Sequence, residues 1–197
     1  MEGGIKAWNG FVAKGAPEAG IAFFEPGKKP DELIALAWVL EDGSQNFYSA
    51  TAGMLEDRET LSFLQKLSSD EENHKKVLFQ IYRELSAMQG MKTDPGFPGS
   101  VISFDPGVKY VEGGVPLTKA LEWVKGKDPE EILELCISLE INSEDLYLKM
   151  ERKVEEKEAK KVFKVLAVQE KHHVERLVRL FEKKQESSTP SPHPSSP

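Results

Sequence analysis

The chain states one pattern twice. A lone Glu on a helical apolar stripe is followed thirty residues later by Glu-x-x-His, first as Glu41, Glu71 and His74, then as Glu140, Glu170 and His173. A shift of 99 carries the first set onto the second (41+99=140, 71+99=170, 74+99=173). The same shift carries Leu40 to Leu139, Tyr48 to Tyr147, Leu67 to Leu166 and Leu78 to Leu177. A repeat that keeps acids and imidazoles in register, and not leucines alone, points to an internal duplication with chemistry built into it.

Steps of three and four residues place the helices. Pro30 suits a first helical position, with Asp31 and Glu32 at the positive end of the helix. Ile34, Trp38, Glu41, Gln45, Tyr48, Ala52 and Leu55 share one face over about residues 30–55. Asp57 is the expected N-cap of a second helix, which reaches Met88 ahead of Gly90 and turns Leu64, Leu67, Glu71, His74, Leu78, Ile81 and Leu85 inward. Residues 90–115 carry Gly and Pro throughout and read as a long connection, followed by a short amphipathic helix at Leu117–Val124. Asp128-Pro129-Glu130-Glu131 then supplies a cap, a proline and an acid where a third helix should begin. Its inner face reads Leu133, Cys136, Glu140, Ser143, Tyr147 and Met150.

From Glu130 to Lys184 there is neither Gly nor Pro, so local pattern alone predicts one continuous helix. That helix would hold Glu140 and Glu170 roughly 45 Å apart, too far to share anything. The repeat instead places a turn at 155–157, matching 53–57 in the first half. The fourth helix then presents Phe163, Leu166, Glu170, His173, Leu177 and Leu180 inward. The predicted fold is all-α: a four-helix bundle over residues 30–185, made of two antiparallel hairpins joined by one long crossover. Residues 1–29 are expected to form an irregular N-terminal arm that packs Trp8 and Phe11 on the bundle. Residues 186–197 are expected to be a disordered Ser/Pro-rich tail. His193 belongs to that tail and is no ligand candidate.

Composition mainly excludes. The 197 residues suffice for one domain with a substantial core. A net charge of −7 argues against nucleic acid, which needs a basic face. No stretch is apolar for long enough to span a bilayer, and MEGGIKAWNG lacks the regions of a signal peptide. A single cysteine, Cys136, rules out an intrachain disulfide and an all-cysteine metal site. A cytoplasmic location is the expectation.

The stripes place four carboxylates inside a core, where unpaired charge is prohibitively costly. Two divalent cations balance Glu41, Glu71, Glu140 and Glu170, with His74 and His173 binding as neutral imidazoles. Residues i and i+3 lie together on a helix face, so Glu71 with His74, and Glu170 with His173, can each offer an oxygen and a nitrogen to one metal. One carboxylate from each of two helices plus Glu-x-x-His from the other two is the donor set of ferritin-like dimetal bundles. Mixed oxygen and nitrogen ligation suits iron or manganese. Glu72 and His172 adjoin these residues but point about 100° away, toward solvent. Glu144, one turn past Glu140, is a candidate extra ligand or base. Tyr48 and Tyr147 are candidates to hydrogen-bond the ligand carboxylates, with core packing as the plainer role. Cys136 and Trp38 read as packing residues.

Residues 30–185 resemble the erythrin domain of the rubrerythrin family, a ferritin-like di-iron fold. The resemblance is carried by Leu-Glu-x-x-x-x-x-Phe-Tyr (40–48), Glu-Glu-Asn-His (71–74), Leu-Glu-x-x-x-x-x-Leu-Tyr (139–147) and Ala-Val-Gln-Glu-Lys-His-His (167–173). It implies two iron ions, with Mn or Zn as possible substitutes, and reduction of hydrogen peroxide in oxidative-stress defence. Two departures stand out. The family's further Glu, three residues after the third-helix ligand, is Ser143 here, and the rubredoxin-like Cys-x-x-Cys pair is missing. Electrons are therefore expected from an external donor such as a rubredoxin-like protein, and Glu144 is the candidate to stand in for the missing Glu. Gly-Gly-Ile-Lys-Ala-Trp-Asn-Gly (3–10) resembles the end of a rhodanese domain, as in rhodanese–rubrerythrin fusions, so a rhodanese domain is a possible partner. With no catalytic cysteine loop, sulfurtransferase activity is not expected. Alternatives are ferroxidase or iron handling with O2, and a non-catalytic metal-binding module serving a sulfurtransferase. A homodimer is the expected assembly.

Overall fold

The computed structural model describes residues 29–90, 94–102 and 108–188. Among these residues the chain runs α1 (Pro30–Ala52), α2 (Arg58–Met88), β1 (Tyr110–Val111), β2 (Val115–Pro116), α3 (Leu117–Val124), α4 (Pro129–Lys153) and α5 (Lys157–Ser188). Helices α1 and α2 pack as one hairpin and α4 and α5 as the other, giving the all-α, ferritin-like bundle that the stripes predict. The resemblance at residues 3–10 and the tail from residue 189 lie outside the described residues.

Each helix start has a local cause. Glu32 accepts from the Lys29 N–H at 2.6 Å ahead of Pro30. Asp57 caps α2 by accepting from the Thr60 N–H at 2.9 Å. Asp128 and Glu131 form a reciprocal capping box on α4. The turn between α4 and α5 contains no Gly or Pro. Val154 leaves helical geometry (ψ 137°), and the Glu156 carboxylate accepts from the backbone N–H groups of Glu158 and Ala159. A carboxylate so placed opens a new helix without a helix-breaking residue. At the far end α5 continues to Ser188, past the expected tail boundary at 186. Nothing breaks the helix before Pro190, and Ser187 Oγ donates to the Lys183 carbonyl.

Two apolar clusters fill the bundle, one toward each end. The first joins the N-terminal half of α1 (Ile34, Leu40) and the C-terminal half of α2 (Leu78, Ile81) to Tyr147, Met150, Phe163 and Leu166. The second joins Phe47, Tyr48, Leu64 and Leu67 to Leu133, Cys136, Leu139 and Leu177. The halves that meet show α4 antiparallel to α1 and parallel to α2, as a single long crossover requires. Glu41, Glu71, His74, Glu140, Glu170 and His173 fall between the two clusters in every helix.

The crossover is more structured than a Gly/Pro-rich connection suggests. Phe97 packs on Tyr82 (centroids 4.2 Å apart) and edge-on to Trp38. A two-residue-per-strand hairpin then pairs Tyr110 with Pro116 and Val111 with Val115. Its turn, Glu112-Gly113-Gly114, uses positive φ at both glycines (81° and 73°), the left-handed region open to glycine. Strands this short show no alternation that a sequence pattern could register. The hairpin presses on α1 at Gly43, where an added Cβ would lie 1.8 Å from the Tyr110 carbonyl oxygen. Helix α3 follows and buries Ala120 and Val124 against the second cluster.

Gly43→Ala tests that contact. In an open helix the change is favourable by about 1 kcal/mol; here it should destabilise the protein by about 1–3 kcal/mol, as overpacking does. Urea unfolding of the metal-free protein measures it, and a stabilised variant contradicts the close approach.

Candidate dimetal centre

The polar belt is built by four helices, each contributing from a position its apolar stripe forces inward. Glu41 (α1), Glu71 and His74 (α2), Glu140 (α4), and Glu170 and His173 (α5) are all between 0% and 5% exposed. Their donor atoms form two groups. In one, ligand atoms of Glu41, Glu71, His74 and Glu170 all lie within 4.8 Å of one another; in the other, those of Glu71, Glu140, Glu170 and His173 do. Glu71 and Glu170 belong to both groups. Each is therefore placed to bridge two ions, with Glu41 and His74 at one end and Glu140 and His173 at the other. The 99-residue shift exchanges the two ends.

Both imidazoles turn Nδ1 toward the carboxylates. His74 Nδ1 stands 2.9 Å from Glu71, 3.0 Å from Glu170 and 3.4 Å from Glu41. His173 Nδ1 stands 3.0 Å from Glu140 and 3.2 Å from Glu170. The two rings stack at 5.6 Å. Despite these distances, Glu41 Oε2, Glu71 Oε2, Glu170 Oε1 and His74 Nδ1 are buried and have no aligned hydrogen-bond partner. Donor atoms this close, buried and without partners need a cation or protons to compensate them. The arrangement suits a cation site, and the donor chemistry fits iron, manganese or zinc.

The electrostatics agree. Burial raises the Glu71 carboxyl well above its usual range, and the charges of Glu41 and Glu170 push it further. Burial, then Glu170, lifts Glu140 to about 8. Burial opposes charge on both imidazoles, but the carboxylates outweigh it: His74 is raised, chiefly by Glu41, and His173 reaches about 10 through Glu140 and Glu170. Glu170 is lowered against the effect of burial, because both imidazoles lie against it. Without cations, protons on imidazole and carboxyl must do the neutralising.

The tyrosines brace the belt crosswise. Tyr48 of α1 donates to Glu140 Oε1 on α4, and Tyr147 of α4 donates to Glu41 Oε1 on α1. Burial and the neighbouring carboxylate hold each phenol far above its usual pKa, so both remain donors at neutral pH. Outside the belt, Asp70 lies 3.5 Å from His173 Nε2 and orients that ring.

Three features are not evident in the helical stripes. Lys75 is buried and bonds Asp42 at 2.8 Å and Gln45 at 2.7 Å, lying over Trp38. Lys109 from the crossover bonds the other Asp42 oxygen at 2.7 Å. Burial would raise the Asp42 carboxyl, but these two lysines lower it. The third feature is Glu112 on the hairpin, 3% exposed, whose carboxyl burial raises, with Glu41 and Glu140 adding to it.

Other sequence candidates fall elsewhere. Glu144 is only half-buried and joins neither donor group. The buried face of α4 passes through Glu140, Ser143 and Tyr147, and the i+4 position lies at its margin. Cys136 is buried in the second apolar cluster. Glu72 pairs with Lys75. His172 is exposed and lines a recess of about 230 Å³ between α2 and α5, with Asp70, Asn73, Gln169 and Arg176 at its walls and His74 and His173 at its floor.

Comparison with known proteins bears on this site in part. A family model described as rubrerythrin matches residues 131–195, which contain Glu140, Glu170 and His173. The match supports a rubrerythrin-like, di-iron-binding reading of the second hairpin; the 99-residue repeat carries that reading to the first. A solved structure of a hypothetical protein from Pyrococcus furiosus is 20% identical, with a TM-score of 0.59 over 82% of this chain and 94% of its own, and shows the same fold. Comparison with curated proteins finds no match. Among the described residues no helix is long and apolar enough to cross a membrane.

Two outcomes follow from the shared donors and the protons. Glu71→Ala or Glu170→Ala should lower occupancy at both metal positions together, whereas Glu41→Ala should chiefly weaken the one it shares with His74. Elemental analysis and native mass spectrometry read the stoichiometry; a Glu71→Ala protein holding one metal at wild-type affinity contradicts the sharing. Binding must also displace protons from groups such as Glu140 (about 8) and His173 (about 10). Affinity should therefore rise with pH between 6 and 9, on the order of tenfold per unit for each proton displaced. Calorimetry in buffers of different ionisation enthalpy counts the protons, and a pH-independent affinity refutes the assignment.

Proposed function

We propose that the protein is a di-iron oxidoreductase that reduces hydrogen peroxide, reloaded with electrons by a separate redox protein. The observation that carries this reading is the pair of carboxylates, Glu71 and Glu170, common to two four-donor groups in a buried belt. Bound there, two irons supply one electron each and Lewis acidity toward both oxygens of the O–O bond. Glu41 with His74, and Glu140 with His173, hold the two ends, and Glu71 and Glu170 fix the spacing between them. Peroxide takes up two electrons and two protons and leaves as two waters.

The chain's own residues govern access and protons. The recess floored by His74 and His173 is polar and small, and it admits a molecule the size of peroxide. Apolar clusters above and below keep bulk water from the belt. The phenols of Tyr48 and Tyr147 stay protonated and hydrogen-bond Glu140 and Glu41, so each holds a proton next to a carboxylate that would ligate a metal. Cys136, the chain's one cysteine, is buried, which leaves electron delivery to a partner such as a rubredoxin-like protein.

Stopped-flow reoxidation of the diferrous protein tests the reading. Fast oxidation by peroxide and slow oxidation by O2 is the expected result. Fast oxidation by O2 with growth of a ferric core identifies ferroxidase chemistry instead, and slow oxidation by both identifies a metal-binding module. A zinc-loaded sample should be inert, because Zn2+ has no redox chemistry. Tyr48→Phe and Tyr147→Phe should each slow the peroxide reaction by roughly 10–100-fold at unchanged iron content, the usual effect of losing a group that orients a ligand. Unchanged rates in both variants remove the tyrosines from the mechanism.

A further inference from the structure

Glu112 has no counterpart in the repeat and no role in the centre described above. It occupies the tip of the crossover hairpin, directly after β1 (Tyr110–Val111). It is 3% exposed, and its Oε2 is fully buried without a hydrogen-bond partner. The groups whose charges bear on it most are Glu41 and then Glu140, the two terminal carboxylates of the belt, followed by Glu170. Its charge is felt in turn by Tyr48 and Tyr147. Its carboxylate joins neither four-donor group, but its burial and these neighbouring charges put it beside the belt on the crossover side.

The hairpin is seated with near symmetry. On one side the Tyr110 carbonyl meets Gly43; on the other, a Cβ at Gly113 would lie 2.8 Å from Asn142 Nδ2. Positions 43 and 142 are related by the repeat (43+99=142), and each lies two residues past a terminal ligand candidate. The hairpin therefore straddles the axis relating the two halves of the centre, and Glu112 stands between them. Ser44 and Ser143, also repeat-related (44+99=143), are buried one turn past Glu41 and Glu140. Both side chains there are small, and Ser44 Oγ has no hydrogen-bond partner. Lys109, at the base of the hairpin, is tied to Asp42. A buried carboxylate facing other carboxylates, with an unpartnered oxygen, is costly unless a cation compensates it.

We infer that Glu112 is a seventh protein donor to the dimetal centre, delivered by the crossover hairpin past Ser44 and Ser143. The inference rests on the dimetal reading of the belt. It gives the centre five carboxylates against two divalent cations, an excess of one negative charge. That excess is neutralised when one metal becomes trivalent, so Glu112 favours the oxidised centre.

Cobalt titration of the wild type and of Glu112→Gln, followed by calorimetry and the visible spectrum, separates the possibilities. The wild type should take two equivalents of Co2+. The Gln variant should take two equivalents with roughly 10–100-fold weaker affinity at one or both and a changed ligand-field spectrum, and its iron form should have a higher midpoint potential. Two equivalents in both proteins with the same affinity, spectrum and potential overturn the role of Glu112 and leave the dimetal reading standing. Fewer than two equivalents in the wild type overturn both. Hydrogen exchange on the wild type needs no variant, and decides the matter if the Gln protein does not fold. Zn2+ should protect amides of residues 108–116 by tenfold or more if Glu112 binds it, and unchanged exchange there overturns the inference.

Discussion

Four carboxylates held in the dry middle of a helical bundle set the terms for everything else. Each would cost several kcal/mol if ionised and unpaired, so the chain can keep them only where a counter-charge is held as firmly as they are. The fold supplies that firmness by filling the bundle on both sides of the belt. Phe47, Leu64, Leu67 and Leu139 close one end; Leu40, Leu78, Phe163 and Leu166 close the other. The crossing hydrogen bonds of Tyr48 and Tyr147 tie the two hairpins together at the belt, each phenol anchored in one apolar cluster and reaching the opposite helix. Packing and site are one construction: the stripes that drive the helices together carry the acids inward with them.

Duplication explains why the belt balances and where it stops being symmetric. The repeat maps each terminal pair onto the other and exchanges the bridging candidates Glu71 and Glu170. Outside the donors, the halves diverge. Asp70 orients His173, while the position related to it by the repeat is Gln169 (70+99=169), which has no charge to offer His74. Asp42 and the buried Lys75 form a partly buried pair on the first hairpin; the repeat places Ile141 and Val174 in their stead (42+99=141, 75+99=174). Lys109 reaches Asp42, an ionic tie that the crossover makes to the first half. The two donor groups are therefore equivalent in residue types and unequal in surroundings.

Much of this was legible in the residues because helical bundles write their interiors at fixed steps. The inward faces of α2, α4 and α5 match the stripes, down to Ser143 and the polar positions. On α1 Glu41, Tyr48 and Ala52 are buried as expected, Trp38 and Gln45 only partly, and Leu55 falls past the helix end at Ala52. The turn at Val154–Glu156 needed the repeat, since a Glu cap and one extended residue leave no Gly or Pro to announce it. Glu144 misled because i+3 and i+4 both lie on a helix face; packing chose the former, and Ser143 is buried. The hairpin escaped because two-residue strands have no period. Its visible signal was Tyr-Val-Glu-Gly-Gly-Val-Pro (110–116), a Gly-Gly turn between β-branched residues, and Glu112 would have followed from it. Lys75 escaped for another reason: a lysine beside a ligand candidate reads as solvated, and only the fold shows Asp42, Gln45 and Trp38 surrounding it.

The two sides of the belt differ in a way that bears on what can reach it. On the α2/α5 side the imidazoles form the floor of a recess walled by Asp70, Gln169, His172 and Arg176. On the α1/α4 side Tyr110 and Val111 are pressed onto the helices, and the contact at Gly43 leaves no slack. The recess therefore adjoins the imidazoles, whereas the hairpin covers the opposite face of the belt. Electrons need no such opening, since they pass through packed protein. The two faces of the belt thus differ in kind: a polar recess adjoins the histidines, and the crossover hairpin closes the side on which Glu112 is buried.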